Sequence, residues 1–278
     1  MYAVFQITLL LTTTKRRVPM ENLIFTKENK IGILTFNRPE SKNSLDAKTY
    51  DELFELIPQI DKDEDVRVLI ITGAGDSFCA GINLSFAASL KDASPAWMRW
   101  FIKKVQVTFS FEKMRQPVIS AVRGHAVGNG CDIAVASDFI IASETAKFAM
   151  AYTTLGLVPD AGGTYRLTKL IGPSKAKELI LTGERIDAKR AYEIGMVTKV
   201  VPDDKLMDEA MVLATKLAKR APLALSMSKA AIDNALSGNF CINQDLELYM
   251  QGVCIPSHDA TEAVISFLEK RDGNFIGK

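Results

Sequence analysis

Residues 117–143 read "PVISAVRGHAVGNGCDIAVASDFIIAS". Two near-continuous apolar runs, 117–122 and 138–143, bracket a segment that places Gly124, Gly128 and Gly130 within seven positions. Runs that are apolar on every side chain predict strands covered on both faces, as parallel sheets require. The intervening residues predict a helix that starts near Gly130 and carries Asp132 in its first turn. A loop that only had to turn would need one glycine. This one is composed to bring bare backbone close to something.

The same texture extends outward. Residues 30–36 and 66–73 form two more short runs rich in Ile and Val, each ended by glycine or polar residues. Residues 46–60 carry Leu53, Leu56, Ile57 and Ile60 on one helical stripe. Strand–helix alternation predicts an α/β fold with crossover connections. Beyond about residue 174 the pattern becomes helical. Ser174 is placed as an N-cap with Gly183 past the end, and Asp187 and Gly195 repeat the device. Residues 205–222 bear Leu206, Ala210, Leu213, Ala214, Leu217 and Ala218 at helical spacing. Asp259 and Glu262 stand as a capping box before a final apolar helix. The expected organisation is an α/β core over 20–205 followed by a helical region over 206–278.

Composition narrows the function classes. The chain has 278 residues, 47% hydrophobic and 24% charged, with 34 basic against 33 acidic side chains. That balance leaves no electrostatic footprint for nucleic acid or a membrane surface. Four cysteines without C-x-x-C spacing and only two histidines argue against a metal site or a disulfide framework, and for a cytoplasmic setting. Residues 1–19, "MYAVFQITLLLTTTKRRVP", are too short to span a bilayer. Their basic residues follow the apolar run, the reverse of a signal peptide. Met20 opens a strand-first segment, so 1–19 are expected to be a leader outside the fold.

Two glycine-rich loops follow strands, "GAGDSFCAGINL" at 73–84 and "GHAVGNGCD" at 124–132. Neither carries a phosphate-cradling glycine pattern. What they offer is backbone N–H groups that a ligand can approach closely. Converging, they would make a two-donor pocket for a developing oxyanion, where one donor is worth about 2.7–4 kcal/mol in a dry site. The same glycines would also serve close packing of strand on helix, so the loops alone leave both readings open. A third segment, "FAMAYTTLGLVPDAGGTYRL" at 148–167, repeats exposed backbone beside an acid, Asp160. His125, Cys79 and Cys131 flank these loops and read as filled core positions.

With "NRPESKNSLDAKTYDEL", "VRVLIITGAGDSFCAGINL", the stretch from 117 to "KLIG" and "AYEIGMVTKVVP" in order, the chain from Met20 onward resembles the enoyl-CoA hydratase/isomerase (crotonase) superfamily. The resemblance implies a crotonase-like spiral of repeated ββα units and a helical C-terminal region used in trimerisation, giving a homotrimer or a hexamer built as a dimer of trimers. It implies an acyl-CoA substrate in fatty acid metabolism, with coenzyme A entering as part of the substrate and no other cofactor. The thioester oxygen would accept from the N–H groups of Ala80 and Asn129. The family usually has glycine where Asn129 stands, which a main-chain donor tolerates. CoA and substrate contacts would fall at Lys42, Ser44, Leu45, Ile82, Leu84 and Gly128.

The acids depart from the family's hydratases, which resemble one another in having Glu at the positions of Asp132 and Tyr152. A shortened acid and a phenol, a weak base near neutral pH, put two-glutamate hydration in doubt. Isomerase and dehalogenase-like members place an acid at the Asp160 position. Asp160 is therefore the leading candidate acid, with Asp132 second and Tyr152 orienting substrate or packing. The expected chemistry is double-bond isomerisation through a stabilised enolate. Hydration by Asp132, nucleophilic attack by Asp160 and a catalytically silent CoA-binding member are the alternatives.

Overall fold

The computed structural model describes residues 20–235 and 238–278. The leader over 1–19 lies outside the described residues. The strands are β1 (Leu23–Glu28), β2 (Ile31–Phe36), β3 (Val68–Gly73), β4 (Val118–Val122), β5 (His125–Val127), β6 (Phe139–Ser143), β7 (Lys147–Ala149), β8 (Ile186–Asp187) and β9 (Lys199–Val201). Six of them form one sheet in the order β1-β2-β3-β4-β6-β9, and β5-β7-β8 form a second. Only β1 runs antiparallel in the large sheet.

Period-two alternation in the apolar runs explains why the large sheet is covered on both faces. Leu69 and Ile71 of β3 and Val118 and Val122 of β4 join one core cluster. Val68, Ile70, Ile119 and Ala121 join another on the opposite face. Each fully buried side chain of this size contributes about 1.5–3 kcal/mol.

The helices are α1 (Ala47–Lys62), α2 (Leu84–Ser89), α3 (Pro95–Thr108), α4 (Asn129–Val135), α5 (Gly163–Ile171), α6 (Pro173–Thr182), α7 (Ala188–Glu193), α8 (Leu206–Ala218), α9 (Pro222–Ala235), α10 (Phe240–Cys254) and α11 (His258–Glu269). The expected spiral is visible in the element order. Each turn lays a strand in the large sheet, a short strand in the small sheet and then a helix: β4-β5-α4, then β6-β7-α5. The preceding turn, β3 to α2, keeps only a single bridge from Cys79 to Ala126 in the second position. The loops that leave these three second positions are stacked side by side, and they carry the candidate site.

The helical region does not begin as a separate layer. Leu206, Ala210 and Ala214 of α8 cover the second face of the large sheet. The three later helices, α9 to α11, extend from there. Among the described residues no helix is long and apolar enough to cross a membrane.

Two caps differ from expectation. Gly172, not Ser174, caps α6, because Pro173 takes the first helical position and needs no donor there. Ser257, not Asp259, caps α11 by accepting from the Ala260 N–H. Asp259 is buried instead and accepts from Ile276 and Gly277, at 2.7 and 2.8 Å, which ties the C-terminal strand of chain down. Glu262 is not its capping partner but pairs with Arg271. Asp187 does cap α7, accepting from Arg190.

Candidate active site

The three stacked loops meet where two peptide planes turn their N–H groups the same way. The Gly81 carbonyl accepts from Leu45 N–H and the Asn83 N–H donates to the Leu45 carbonyl. In a trans peptide N–H and C=O point oppositely, so the Ile82 N–H faces away from Leu45. The positive φ of Gly81, 84°, makes that flip. On the adjacent loop the Gly128 carbonyl accepts from Asp132 N–H at 2.9 Å, so the Asn129 N–H points out of α4. The two loops touch at this point. A Cβ on Gly81 would stand 2.4 Å from the Val127 carbonyl oxygen and 3.4 Å from the Asn129 nitrogen.

Ala80 does not supply the expected outward donor. The Cys79 carbonyl accepts from Val127, so the Ala80 N–H is turned away from the loop and donates to the Lys42 carbonyl at 2.9 Å. Ile82, two residues on, carries the outward donor. The signal for this lay in the sequence as Gly81, whose special backbone conformation reverses the next peptide.

A cavity of about 490 Å³ opens over these groups. Ser44, Ala80, Ile82, Leu84, Gly128, Asn129 and Tyr152 all line it. Asp132 and Asp160 stand behind the lining, and two of the expected CoA contacts do not line the cavity either. Leu45 is fully buried in the core, because its backbone pairs with Ile82 and its side chain points inward. Lys42 adopts a left-handed backbone conformation and sets its ammonium 3.3 Å from His125 Nε2. His125 is thus half-buried beside Lys42 rather than a core position, and burial lowers its pKa. Cys79 and Cys131 are core positions, and burial pushes the Cys79 thiol up to about 12.

Behind the cavity floor lies a hydrogen-bonded network that unites the candidate acids. The Tyr152 hydroxyl donates to Asp132 Oδ2. Asn129 Nδ2 donates to the Tyr152 hydroxyl at 2.9 Å and to Asp160 Oδ1 at 3.3 Å. Tyr50 of α1 donates its hydroxyl to Asn129 Oδ1 at 2.8 Å. Gln106 of α3 donates to the Asp160 backbone carbonyl at 3.1 Å, which steadies the turn that carries this acid. Tyr50 was not legible as a site residue, although a tyrosine on the buried stripe of a helix must find a partner for its hydroxyl.

The two carboxylates are not equivalent. Asp132 has no exposed surface, and its Oδ1 has no hydrogen-bond partner among the described residues. Gly163 makes room for that oxygen, since a Cβ there would lie 1.9 Å from it. Burial raises its pKa from the ordinary 3.8 to about 7, against the opposing bond from Tyr152. Asp160 is only part-buried, and burial raises its carboxyl while the Asn129 bond pulls it back. Burial holds both phenols, Tyr50 and Tyr152, well above their usual range, so each stays a donor at neutral pH. Among the described residues no cluster of three His, Cys, Asp or Glu is placed to hold a metal ion.

A sequence model of the family described as Enoyl-CoA hydratase/isomerase matches residues 26–278. The crotonyl-CoA hydratase of Syntrophomonas wolfei is 39% identical over 260 residues, which cover 93% of this chain and 99% of that protein. The 1,2-epoxyphenylacetyl-CoA isomerase of Escherichia coli is 37% identical over 264 residues, covering 93% of this chain and 100% of its own. A crystal structure of an enoyl-CoA hydratase from Bacillus anthracis aligns with a TM-score of 0.88 at 35% identity, over 93% of this chain and 100% of that one. These likenesses run through all three loops that build the cavity, and the chain is an enzyme of the enoyl-CoA hydratase/isomerase family.

Proposed function

We propose that the enzyme moves the double bond of an unsaturated acyl-CoA thioester by shuttling one proton between two carbons. The observation that carries this reading is the inequality of the two acids. Asp132 is sealed behind Tyr152, whereas Asp160 is part-exposed and accepts from the Asn129 side chain. A hydratase of the paired-acid kind needs two carboxylates on one water. Here the second position is a phenol whose proton is directed at the first acid, so the pair cannot share a water as two bases would.

The Ile82 and Asn129 N–H groups hold the thioester oxygen. For a 3-enoyl substrate, the Asp160 carboxylate takes the proton from the α-carbon. The C–H electron pair flows into the thioester, and the negative charge settles on the oxygen between the two donors. Asp160 then returns the proton to the γ-carbon, which leaves the 2-enoyl thioester. Atoms and electrons balance within one molecule, so the reaction calls on no cofactor beyond the CoA that the substrate brings. Tyr152 and Asp132 fix the far wall, with Asp132 acting through Tyr152. Ser44, Ile82, Leu84 and Gly128 line the route by which the CoA thioester enters.

The assembly we propose is a homotrimer, alone or paired into a hexamer, in the cytoplasm. Helices α10 and α11 support it: Phe240, Tyr249, Phe267 and Leu268 are each more than 70% exposed in the isolated chain. Rows of this kind need covering.

The deciding experiment offers 2-enoyl-, 3-enoyl- and dienoyl-CoA in D₂O. Deuterium at the α- and γ-carbons without added oxygen is expected, with kcat reduced about 10²–10⁴-fold in Asp160→Asn. Water addition that survives Asp160→Asn but not Asp132→Asn would overturn the shuttle.

A further inference from the structure

The side chain of Asn129 lies at the centre of the buried network, and each end of its amide is engaged. Its carbonyl accepts from Tyr50, and its NH₂ group serves Tyr152 and Asp160 together. The two acceptors decide the orientation. The Asp160 carboxylate can only accept and the Tyr152 hydrogen is already given to Asp132, so Nδ2 must face these two groups and Oδ1 is left to accept from Tyr50. Asn129 is 5% exposed and Tyr50 1%, so water does not compete for the bonds to Tyr50 and Tyr152.

Tyr50 is itself held in place. Its ring packs edge-on against Phe101, with centroids 5.1 Å apart, and lies within 6.0 Å of the Phe54 and Phe86 rings. A phenylalanine would satisfy this aromatic cluster. The hydroxyl is the one feature that packing does not require, and it reaches Asn129.

We infer that Tyr50 and the Asn129 side chain form a positioning clamp, which holds Asp160 and the Tyr152–Asp132 pair at a fixed separation. The inference rests on the proposed shuttle only in taking Asp160 as the reacting acid. The main-chain N–H of Asn129 and its side chain thereby do separate work. The first meets the thioester oxygen, and the second sets the acid. A glycine at this position would keep the first and abolish the second.

That separation gives the test. Asn129→Gly and Tyr50→Phe are compared with the wild-type enzyme on whichever turnover it shows, isomerisation or hydration, across pH. Asn129→Gly is expected to leave KM for the thioester within about threefold while kcat falls roughly ten- to a hundredfold. The acid limb of its pH–rate profile moves to higher pH, because a hydrogen bond that favours the carboxylate is gone. Tyr50→Phe moves the limb in the same direction by less, since the amide keeps its two acceptors but loses its anchor. Independently of turnover, the ¹³C carboxyl resonance that Asp160→Asn removes titrates at higher pH in Asn129→Gly.

An unmoved limb together with an unmoved Asp160 titration would overturn the clamp, as would a loss confined to KM. Hydration with a shifted limb would sink the shuttle and leave the clamp standing. An unshifted limb on an isomerising enzyme would do the reverse.

Discussion

Helix α4 carries a buried aspartate in its first turn and is followed by a part-buried one, and the protein treats the two in opposite ways. Asp132, in its first turn, receives a hydrogen bond from the Tyr152 hydroxyl. Asp138, just beyond its end, accepts from the Val118 N–H at 2.7 Å and from Lys229 of α9 at 2.8 Å. Lys229 also donates to the carbonyls of Phe111 and Gln116, at 2.7 and 2.9 Å. Burial raises the pKa of both acids, and what mainly opposes it differs: the Lys229 ammonium at Asp138, but the neutral Tyr152 hydroxyl at Asp132, where the Arg166 charge adds less. The fully neutralised acid fastens a helix of the C-terminal region to the core. The acid left with a neutral donor stands behind the cavity, where a carboxyl poised near neutrality is useful and a locked ion pair is not.

The largest effect is expected at the locked end. Lys229→Met removes one partner of a part-buried pair and leaves the Asp138 carboxylate without its cation. Unfolding free energy is expected to fall by about 3 kcal/mol at neutral pH, the low end for breaking a buried pair because the Asp138 carboxylate keeps some contact with water. The deficit shrinks in acid, where Asp138 takes up a proton, and kcat of the folded fraction is unchanged because the Asp132 network is untouched. Urea unfolding at fixed protein concentration across pH checks both statements. A deficit independent of pH would mean that Lys229 acts by packing alone.

At the other end the sign reverses. A carboxyl held near 7 in the fold, against 3.8 in the free chain, contributes stability that is complete below about pH 4 and lost as pH rises through about 7. Asp132→Asn removes this dependence. Relative to wild type, the variant is expected to gain on the order of 2–4 kcal/mol of stability between about pH 4 and pH 8, while activity falls. The two unfolding curves measured at each pH give the difference directly. A gap that narrowed with rising pH would show that Asp132 is stabilised as an anion.

How much of this contrast the sequence displays follows from the range of the interactions. The strands expected at 30–36, 66–73, 117–122 and 138–143 lie within about two residues of β2, β3, β4 and β6, because burial on both faces leaves an unbroken apolar run. Strands β5, β7 and β8 span only two or three residues and show no period at all. They exist because the spiral stacks successive turns. At the site, Asp132, Tyr152, Asp160 and Asn129 were legible through family resemblance and glycine spacing. Tyr50 and Lys229 were not. Each is a residue on a buried helix face, and each meets its partner across at least 79 positions of chain. The direction of a single N–H group showed in the sequence only indirectly, as Gly81, since Ala80 and Ile82 differ in which neighbour claims the intervening carbonyls.

The smallest effect, and the finest test of the contrast, is at Gly163. Alanine has the higher helix propensity, and at the start of α5 that favours Gly163→Ala by up to about 1 kcal/mol. Against it, the new methyl would stand 1.9 Å from Asp132 Oδ1 and 3.1 Å from Met150 Cε. The carboxylate cannot swing away without breaking its bond from Tyr152, so overpacking costs about 1–3 kcal/mol. The net loss is expected to be about 1 kcal/mol in thermal or urea unfolding, with a fall in kcat as Tyr152 shifts. Because protonated and ionised Asp132 need the same room, this loss should not vary with pH, unlike the Asp132→Asn difference. A stabilised Gly163→Ala variant with full activity would show that Asp132 moves freely, and the contrast with the clamped Asp138 would then rest on charge alone.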